Sequence, residues 1–352
     1  MTGEHLAAVV EKARAQAVIG ALREEGVYDD DRSVFECGSE TVAIPVTAPP
    51  TGTDVLEVIR EEGPPRLRTL TDHLRERGWT DAELVDVPGS WAVIGSVILV
   101  DIGDAVRPSE VGDALLAMHG SADTVLAREG IDGQHREPSV EVIAGEGDTE
   151  TVHREHGTTY AMDLAEVMFS PGNKAERARM GDVVGGSDRP TCGERVLDMF
   201  AGIGYFTLPM ARAGARVTAV ERNPAAFGYL VENAVSNGVQ DRVETYRADC
   251  RDVVAGGLDA AADGAEPFAF DRVVMGYYDA YEYLDSAFAA VAPDGVLHVH
   301  EATPDALVPD RPVGRIREAA GRANRPVEVL DTRDVKGYSE GVRHVVVDAR
   351  VA

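Results

Sequence analysis

The second half of the chain alternates apolar strand-like runs with helix-like segments, and this pattern limits the fold more than any other feature. From about residue 192 the runs RVLDMF, RVTAVER, RVETYRAD, FDRVVMG and GVLHVHE are typical of buried strands. Helix-like segments separate them, over 204–213, 224–237, 280–292 and 313–323. Such alternation predicts a parallel sheet with helices on both faces, a doubly wound α/β domain. The last two strand-like runs are joined by a turn without a helix, so we expect an antiparallel terminal pair.

The first half is mixed, and it divides the chain into three predicted parts. A helix is expected over 6–25, because apolar residues recur there at spacings of three and four. TVAIPVT follows as a short strand, and APPTGT is a connector. SWAVIGSVILVDI then predicts a strand pair and PSEVGDALLAMHG a helix. We therefore expect an N-terminal segment (1–50), a smaller α+β domain (51–168) and the doubly wound domain (169–352).

The balance of charges is strongly acidic. Asp and Glu number 61 against 34 Lys and Arg, which gives a formal net charge of −27. Such a surface ordinarily repels nucleic acid. In molar salt, however, the Debye length shrinks to about 3 Å, so repulsion reaches only groups in contact. We favour a halophilic, high-salt setting, which neither supports nor excludes an RNA partner.

The sequence also indicates a compartment. No apolar run approaches the roughly 18 residues of a membrane span, and the charged start MTGEHLAAVVEKARAQ lacks a signal core. We therefore expect a cytoplasmic protein without a membrane partner. The three cysteines, Cys37, Cys192 and Cys250, are widely spaced and odd in number, which favours reduced thiols over a disulfide or zinc framework.

The stretch VLDMFAGIGYF carries the main binding signal. A strand ends at Asp198, and Gly202 and Gly204 then form a tight turn into a helix. Glycines let the backbone approach a ligand closely, and a helix N-terminus offers free N–H groups to an anion. Gly-x-Gly alone is weak evidence, because ordinary strand-to-helix turns have the same pattern.

Acidic residues at the next two strand ends strengthen this signal. Glu221 lies 23 residues after Asp198, where a carboxylate can accept hydrogen bonds from both ribose hydroxyls of a nucleoside. At the third strand end, Asp249 can accept from an adenine amine, and the backbone N–H of Cys250 can serve a ring nitrogen. Any one acid could simply be a solvated strand end, but together they predict a nucleoside site at the topological switch point.

Two ligand classes compete for this site. NAD requires a third glycine, and Thr207 occupies that position. The Asp before the turn and the antiparallel terminal pair resemble S-adenosylmethionine-dependent enzymes, so we favour that cofactor.

Two further groups allow alternative interpretations. In VMFSPGNKAERARMGDVV, Ser170 precedes Pro171, and Arg177 lies about two helical turns on. The pair either caps and packs a linking helix or presents a hydroxyl and a guanidinium to the methionine end of the cofactor. His298 and His300 share one strand face beside Glu301; without further ligands nearby we reject a zinc site, and packing is the favoured interpretation.

Three stretches resemble one known family. AGEGDTETVHREHGTTYAMDLAEVMFSPGNKAERARM, VLDMFAGIGYFTLPMARAGARVTAVERNP and VKGYSEGVRHVVVDARV are similar to the family of tRNA guanine-37 N1-methyltransferases and wybutosine-synthesis aminocarboxypropyltransferases. The likeness is strong over 135–352 and weak before that. It implies a class I methyltransferase-like (Rossmann-like) fold, S-adenosylmethionine and the tRNA anticodon loop as partner, with 51–168 serving tRNA binding or packing. It also implies cofactor-binding roles for five matched positions, Ser170, Arg177, Glu221, Asp249 and Cys250, beside Asp198, Gly202 and Gly204, which we assign to the same site from the glycine turn. Cys250 departs from the more usual Asn there.

The residues that follow the fourth predicted strand distinguish the two branches of that family. The methyltransferases resemble one another in an Asn-x-Pro group that holds the guanine, whereas this chain has Gly276-Tyr277. FSPGN and HVHE are also more similar to the aminocarboxypropyl branch. The resemblance thus implies substrate-binding roles for Asn173, Gly276 and Tyr277. Candidates for catalysis are Tyr277, His300 and Glu301, and the sequence does not single out a general base.

The function implied is transfer of the 3-amino-3-carboxypropyl group of S-adenosylmethionine to C7 of the wyosine-type base, 4-demethylwyosine, at tRNA position 37. Orientation decides the product, because a nucleophile attacks whichever sulfonium-bound carbon is aimed at it. The alternatives are a tRNA guanine-37 N1-methyltransferase and a non-catalytic tRNA-binding protein with a vestigial pocket. We expect a monomer without a metal.

Overall fold

The computed structural model describes residues 5–133, 135–186, 193–265 and 267–352. They form two compact units, Met1–Leu84 and Val85–Ala352. The division falls after Leu84, whereas boundaries were expected near 50 and 168. Within the described ranges, no helix is long and apolar enough to cross a membrane. Cys192, one of the three expected thiols, lies outside the described residues.

The first unit is a four-stranded antiparallel sheet in the order β2-β3-β1-β4. Its strands and helices are β1 Leu6–Glu11, α1 Ala15–Glu25, β2 Phe35–Glu36, β3 Thr41–Val46, β4 Glu57–Ile59 and α2 Leu70–Glu76. The strand predicted at TVAIPVT is confirmed as β3. Because β4 pairs with β1, the chain beyond residue 50 still belongs to this unit.

The predicted helix over 6–25 is wrong in its first turns. LAAVVE is strand β1, and only Ala15–Glu25 is α-helical. Ala8 and Val10 pack with the α1 side of the sheet, whereas Ala7 and Val9 pack on the opposite face. A central strand that is buried on both faces is apolar throughout, so its pattern cannot be distinguished from that of a buried helix.

The second unit begins with a smaller α+β sheet in the order β5-β6-β7-β8, followed by the hairpin β9-β10. Its elements are β5 Trp91–Ile94, β6 Val97–Val100, α3 Pro108–Met118, β7 Thr124–Asp132, β8 Glu137–Gly145, β9 Glu150–Glu155 and β10 Thr158–Asp163. The predicted strand pair around Gly95 and the helix at PSEVGDALLAMHG are confirmed.

The doubly wound domain has a seven-stranded sheet in the order β13-β12-β11-β14-β15-β17-β16. The strands are β11 Arg195–Asp198, β12 Arg216–Val220, β13 Val243–Tyr246, β14 Phe270–Met275, β15 Val291–Pro304, β16 Val327–Ser339 and β17 Val342–Val351. The helices are α4 Lys174–Gly185, α5 Thr207–Arg212, α6 Pro224–Ser236, α7 Cys250–Ala262, α8 Leu284–Ala290 and α9 Asp310–Ala323. Strand β17 runs antiparallel to β15 and β16, which confirms the predicted fold class.

Two apolar layers cover this sheet. Met180 of α4, Leu208 of α5 and Leu230 of α6 pack on one face, and helices α7, α8 and α9 pack on the other. Leu99 and Leu126 of the smaller sheet belong to the first layer. Residues 85–168 therefore share a core with the doubly wound domain, which is why no compact boundary falls at 168.

Candidate nucleoside-binding site

A cavity of about 450 Å³ lies beyond the carboxyl ends of the parallel strands β11, β12 and β14. A volume of this size suits a small ligand, and this edge of an open α/β sheet is where such ligands bind. The residues that line it come from the β7–β8 turn, the chain before α4, the first turn of α4, the segments that follow the strand ends, and β17. They include Arg136, Ser170, Asn173, Arg177, Phe200, Gly202, Tyr205, Glu221, Gly276, Tyr277, Tyr278, Tyr283 and His344.

The glycine turn forms one wall of the cavity. Gly202 and Gly204 have positive φ angles of 55° and 104°. A Cβ at Gly202 would lie 2.4 Å from the Tyr205 ring, and one at Gly204 would lie 2.7 Å from Leu208. Both positions therefore require glycine for conformation as well as for space.

Glu221 is fixed beside that turn by backbone groups. Its Oε2 accepts from the N–H of Gly202 at 2.8 Å, and its Oε1 accepts from the N–H of Asn223 at 2.7 Å. Burial raises the pKa of Glu221, while these N–H groups act in the opposite direction. The carboxylate retains lone pairs for the two hydroxyls of a ribose.

A cofactor-binding role was expected for Asp198, but the structure buries its side chain beneath the glycine turn. Its Oδ2 accepts from the Thr207 hydroxyl at 2.7 Å, and its side chain is fully buried. Burial raises the pKa of Asp198 to about 6. Asp198 therefore supports the turn from below and does not line the cavity.

Asp249 and Cys250 border a small recess that opens beside the cavity, next to Phe200 and Tyr283. Asp249 caps α7, because its Oδ1 accepts from the backbone N–H of Arg251 at 2.9 Å. Its carboxylate also pairs with the Arg251 side chain, at 2.7 Å from Nη2. Burial raises the pKa of the Cys250 thiol to about 12, so its side chain is an inert thiol here.

Ser170 and Arg177 both line the cavity, yet neither is free. Arg177 Nε and Nη2 donate to the two carboxylate oxygens of Glu155 at 2.8 and 2.9 Å, and Nη1 donates to the Ser170 carbonyl at 2.8 Å. The Ser170 side chain makes no capping bond. Its hydroxyl accepts instead from the Lys336 ammonium. Glu155, on the β9–β10 hairpin, was not identified from the sequence.

An aromatic wall closes the β14 side of the cavity. Tyr277 lies 5.2 Å from Phe200 between ring centroids, and the Arg136 guanidinium lies 5.7 Å from the Tyr277 ring and 5.3 Å from the Tyr278 ring. A Cβ at Gly276 would lie 2.7 Å from the Phe206 ring, so glycine permits this packing. Asn173 lines the cavity too, and its buried Oδ1 has no hydrogen-bond partner in the described chain.

Two of the candidate catalytic residues do not line the cavity. Glu301 is buried, and its Oε1 accepts from Arg311 Nε at 2.8 Å and lies 2.8 Å from Arg315, so this oxygen is paired away from the cavity. His300 is buried one layer behind the wall, where its Nδ1 lies 2.9 Å from His344 Nε2. His344, not considered from the sequence, is the histidine of this pair that lines the cavity.

The sheet order, the glycine turn and the carboxylate after the second strand together define a class I methyltransferase-like protein with a nucleoside site. The chain matches the TRM5/TYW2 methyltransferase domain over residues 151–330 and the TYW2 N-terminal domain over 70–149. It belongs to the TRM5/TYW2 family.

Relatives from both branches of this family are similar to the chain. The tRNA(Phe) (4-demethylwyosine(37)-C(7)) aminocarboxypropyltransferase of Pyrococcus horikoshii is 36% identical over 76% of this chain and 92% of its own. The structure of P. horikoshii TYW2 in complex with MeSAdo covers 79% of this chain and 96% of that chain, with a TM-score of 0.63. The crystal structure of Trm5b from Pyrococcus abyssi, named a tRNA (guanine(37)-N(1))-methyltransferase, is 30% identical over 99% of both chains, with a TM-score of 0.70.

Proposed function

We propose that this protein transfers the 3-amino-3-carboxypropyl group of S-adenosylmethionine to C7 of 4-demethylwyosine at tRNA position 37. The observation that carries the proposal is the end of β14. There Gly276 packs against Phe206, and the aromatic side chains of Tyr277 and Tyr278 line the cavity where the methyltransferase branch would place an Asn-x-Pro clamp. Aromatic side chains are the groups on which proteins stack unpaired bases, and a flat tricyclic base offers a large surface for such contact.

The cavity fits S-adenosylmethionine. Glu221 would hold the ribose, and Asp249 and the backbone N–H of Cys250, which border the adjoining recess, would meet the edge of the adenine. Asn173 Oδ1 and the Tyr205 hydroxyl, on two cavity-lining residues, have no hydrogen-bond partner among the described residues, and we assign them to the amino-acid end. When bound there, the cofactor supplies an electrophilic carbon attached to a sulfonium.

We propose that Arg177 positions the amino-acid end of S-adenosylmethionine with only part of its hydrogen-bonding capacity. Its Nε is committed to Glu155 and its Nη1 to the Ser170 carbonyl, so fewer N–H groups remain than for a free guanidinium. A loosely held carboxypropyl arm can turn its γ-carbon toward the base, whereas a tightly clasped arm presents the methyl group. The orientation of the arm would thus decide which carbon is transferred.

The partner proposed is the anticodon loop of tRNA, bound by a cytoplasmic monomer in a high-salt cell. The net charge of −27 disfavours diffuse attraction to RNA. Contacts that survive salt, such as stacking on Tyr277 and Tyr278 beside Arg136, are then expected to dominate.

A mass measurement of position 37 tests the proposal. The protein would be incubated in molar KCl with S-adenosylmethionine and tRNA carrying either 4-demethylwyosine or guanosine, and the nucleosides would be analysed after digestion. We expect an aminocarboxypropyl adduct on the tricyclic base. The second candidate, guanine-37 N1-methylation, is favoured by the match to P. abyssi Trm5b over 99% of the chain, and it would give a methyl adduct on guanosine.

A further inference from the structure

A pair of buried histidines connects the cavity wall to the interior of the sheet. His344 on β17 lines the cavity, and its ring lies edge-on to Tyr278 with 4.9 Å between ring centroids. His300 on β15 lies behind it. The antiparallel register pairs His344 with Ala302, so the two histidines are diagonal neighbours on one sheet face.

The two rings share one hydrogen bond and have unused nitrogens at both ends. His300 Nδ1 and His344 Nε2 are 2.9 Å apart, and both side chains are about 1% exposed. His300 Nε2 and His344 Nδ1 are buried without a partner among the described residues. Buried polar atoms are usually hydrogen-bonded, so two unpaired nitrogens in one hydrogen-bonded pair of rings are unusual and point to a functional role.

Both imidazoles are neutral in this setting. Burial, followed by the proximity of His300 and Lys336, lowers the pKa of His344 to about 2. Burial lowers the pKa of His300 to about 3. A neutral pair carries two N–H groups: one lies in the shared bond and the other on an outer nitrogen, which leaves the remaining outer nitrogen as an acceptor.

We propose that His344 accepts the proton that C7 of the base loses during transfer, and that His300 positions His344 and receives the proton from it. This inference rests on the proposed function. In the reactive tautomer, His344 Nε2–H donates to His300 Nδ1, so His344 Nδ1 has a free lone pair.

The step balances without another reactant. The new bond joins C7 to the γ-carbon, and the bond from the γ-carbon to sulfur breaks with its electron pair remaining on sulfur as the thioether product. The C7–H electron pair then returns to the ring system of the base. The proton passes to His344 Nδ1, and the Nε2 proton can shift to His300 Nδ1, so the charge moves away from the cationic base. The C7–H bond of the cationic intermediate is strongly acidic, so a weak neutral base such as His344 is sufficient to remove the proton.

The test separates proton removal from bond formation. Single-turnover reactions would use tRNA with tritium at C7, with methylthioadenosine release reporting carbon–carbon bond formation and tritium in water reporting proton loss. In the wild-type protein we expect the two signals to rise together. In His344→Asn, tritium release should lag methylthioadenosine release, by on the order of 100-fold, the lower range for a positioned base. In His300→Asn, tritium release should lag methylthioadenosine release by a smaller factor, because His344, the first proton acceptor, is still present.

Control variants and binding data make the result decisive. His298→Asn removes another buried histidine from β15, one that bonds Asp348 at 2.6 Å and does not line the cavity. Any effect of that change should slow both signals equally. Methylthioadenosine binding by each variant shows that the site is folded. Equal slowing or no change in His344→Asn would overturn the proposal, whereas a wild-type protein that releases neither product would overturn the transfer reaction itself.

Discussion

Arg177 and Glu155 form a two-point ion pair that is buried between α4 and the β9–β10 hairpin. The nitrogen–oxygen distances are 2.8 and 2.9 Å, and the side chains are 1% and 3% exposed. Burial alone would raise the pKa of Glu155, but His153 and Arg177 lower it to about 2. The pair links the cavity wall to a hairpin that carries no cavity-lining residue.

Removing one partner of this pair should destabilise the protein strongly. Glu155→Gln leaves the Arg177 guanidinium buried without its counter-charge, and we expect a loss of about 3–5 kcal/mol in the free energy of unfolding. Denaturant unfolding in molar KCl measures it.

An exposed pair provides the matched control. Arg322 Nε and Nη2 donate to Asp285 Oδ1 at 3.0 and 2.7 Å, with side chains 55% and 70% exposed. Asp285→Asn should cost at most about 1 kcal/mol. Similar losses in the two variants would show that burial of the Arg177 pair does not matter.

The buried carboxyl of Asp198 should make stability depend on pH. Its pKa is raised by burial from 3.8 to about 6 in the folded protein. A raised acid pKa means that its contribution to stability is fully present below about pH 4 and is lost as the pH rises through about 6.

The variant Asp198→Asn should therefore match the wild type at pH 4 and be more stable at pH 7, by on the order of 3 kcal/mol. The amide oxygen can still accept from the Thr207 hydroxyl, so the turn is expected to persist. Urea unfolding from pH 4 to pH 7 checks this. A stability difference that is constant over that range would contradict the assigned pKa.

The glycine turn should tolerate no side chain. In Gly202→Ala the new Cβ would meet the Tyr205 ring and adopt a positive φ angle, so we expect methylthioadenosine affinity to fall by at least about tenfold. Gly314→Ala in α9 is the control, because its Cβ would meet nothing within 4 Å. That change should leave affinity unchanged and slightly raise stability. Calorimetric titration of both variants measures the affinities, and equal values would contradict a close backbone approach by the ligand.

Tyr277 should act through its ring. Burial raises the pKa of Tyr277, so the hydroxyl is protonated and is a poor base. Tyr277→Phe is expected to retain most of the tRNA turnover, and Tyr277→Ala to lose on the order of tenfold in kcat/KM for tRNA through lost stacking. Methylthioadenosine affinity should change much less. If Tyr277→Phe lost as much kcat/KM for tRNA as Tyr277→Ala, the hydroxyl and not the ring would be the important group.

The doubly wound sheet and the glycine turn could be predicted because local sequence encodes them. Strands of apolar residues, the Gly202 turn and the acid at Glu221 are each set by a few consecutive positions, and parallel topology then brings the strand ends to one edge. The antiparallel direction of β17 could be predicted because a turn without a helix joins it to β16.

Other features could not be predicted, because they depend on pairings between distant segments. His344 meets His300 only through the β15–β17 register, and Glu155 meets Arg177 across a hairpin. Glu301 follows His300 in the sequence, but side chains alternate between the two faces of a strand. The Glu301 carboxylate therefore lies on the other face of the sheet from His300, where it pairs with Arg311. The strand at Leu6–Glu11 was missed since burial on both faces removes the periodic signal.

The central claim is the choice of carbon, and a doubly labelled cofactor tests it most directly. S-adenosylmethionine would carry one isotope in the methyl carbon and another in the carboxypropyl carbons, with tRNA containing 4-demethylwyosine and molar KCl. We predict that the carboxypropyl label enters tRNA while the methyl label leaves in methylthioadenosine. Methyl label in tRNA, with S-adenosylhomocysteine released, would contradict the account and show that the cavity at Gly276 and Tyr277 presents the methyl group instead.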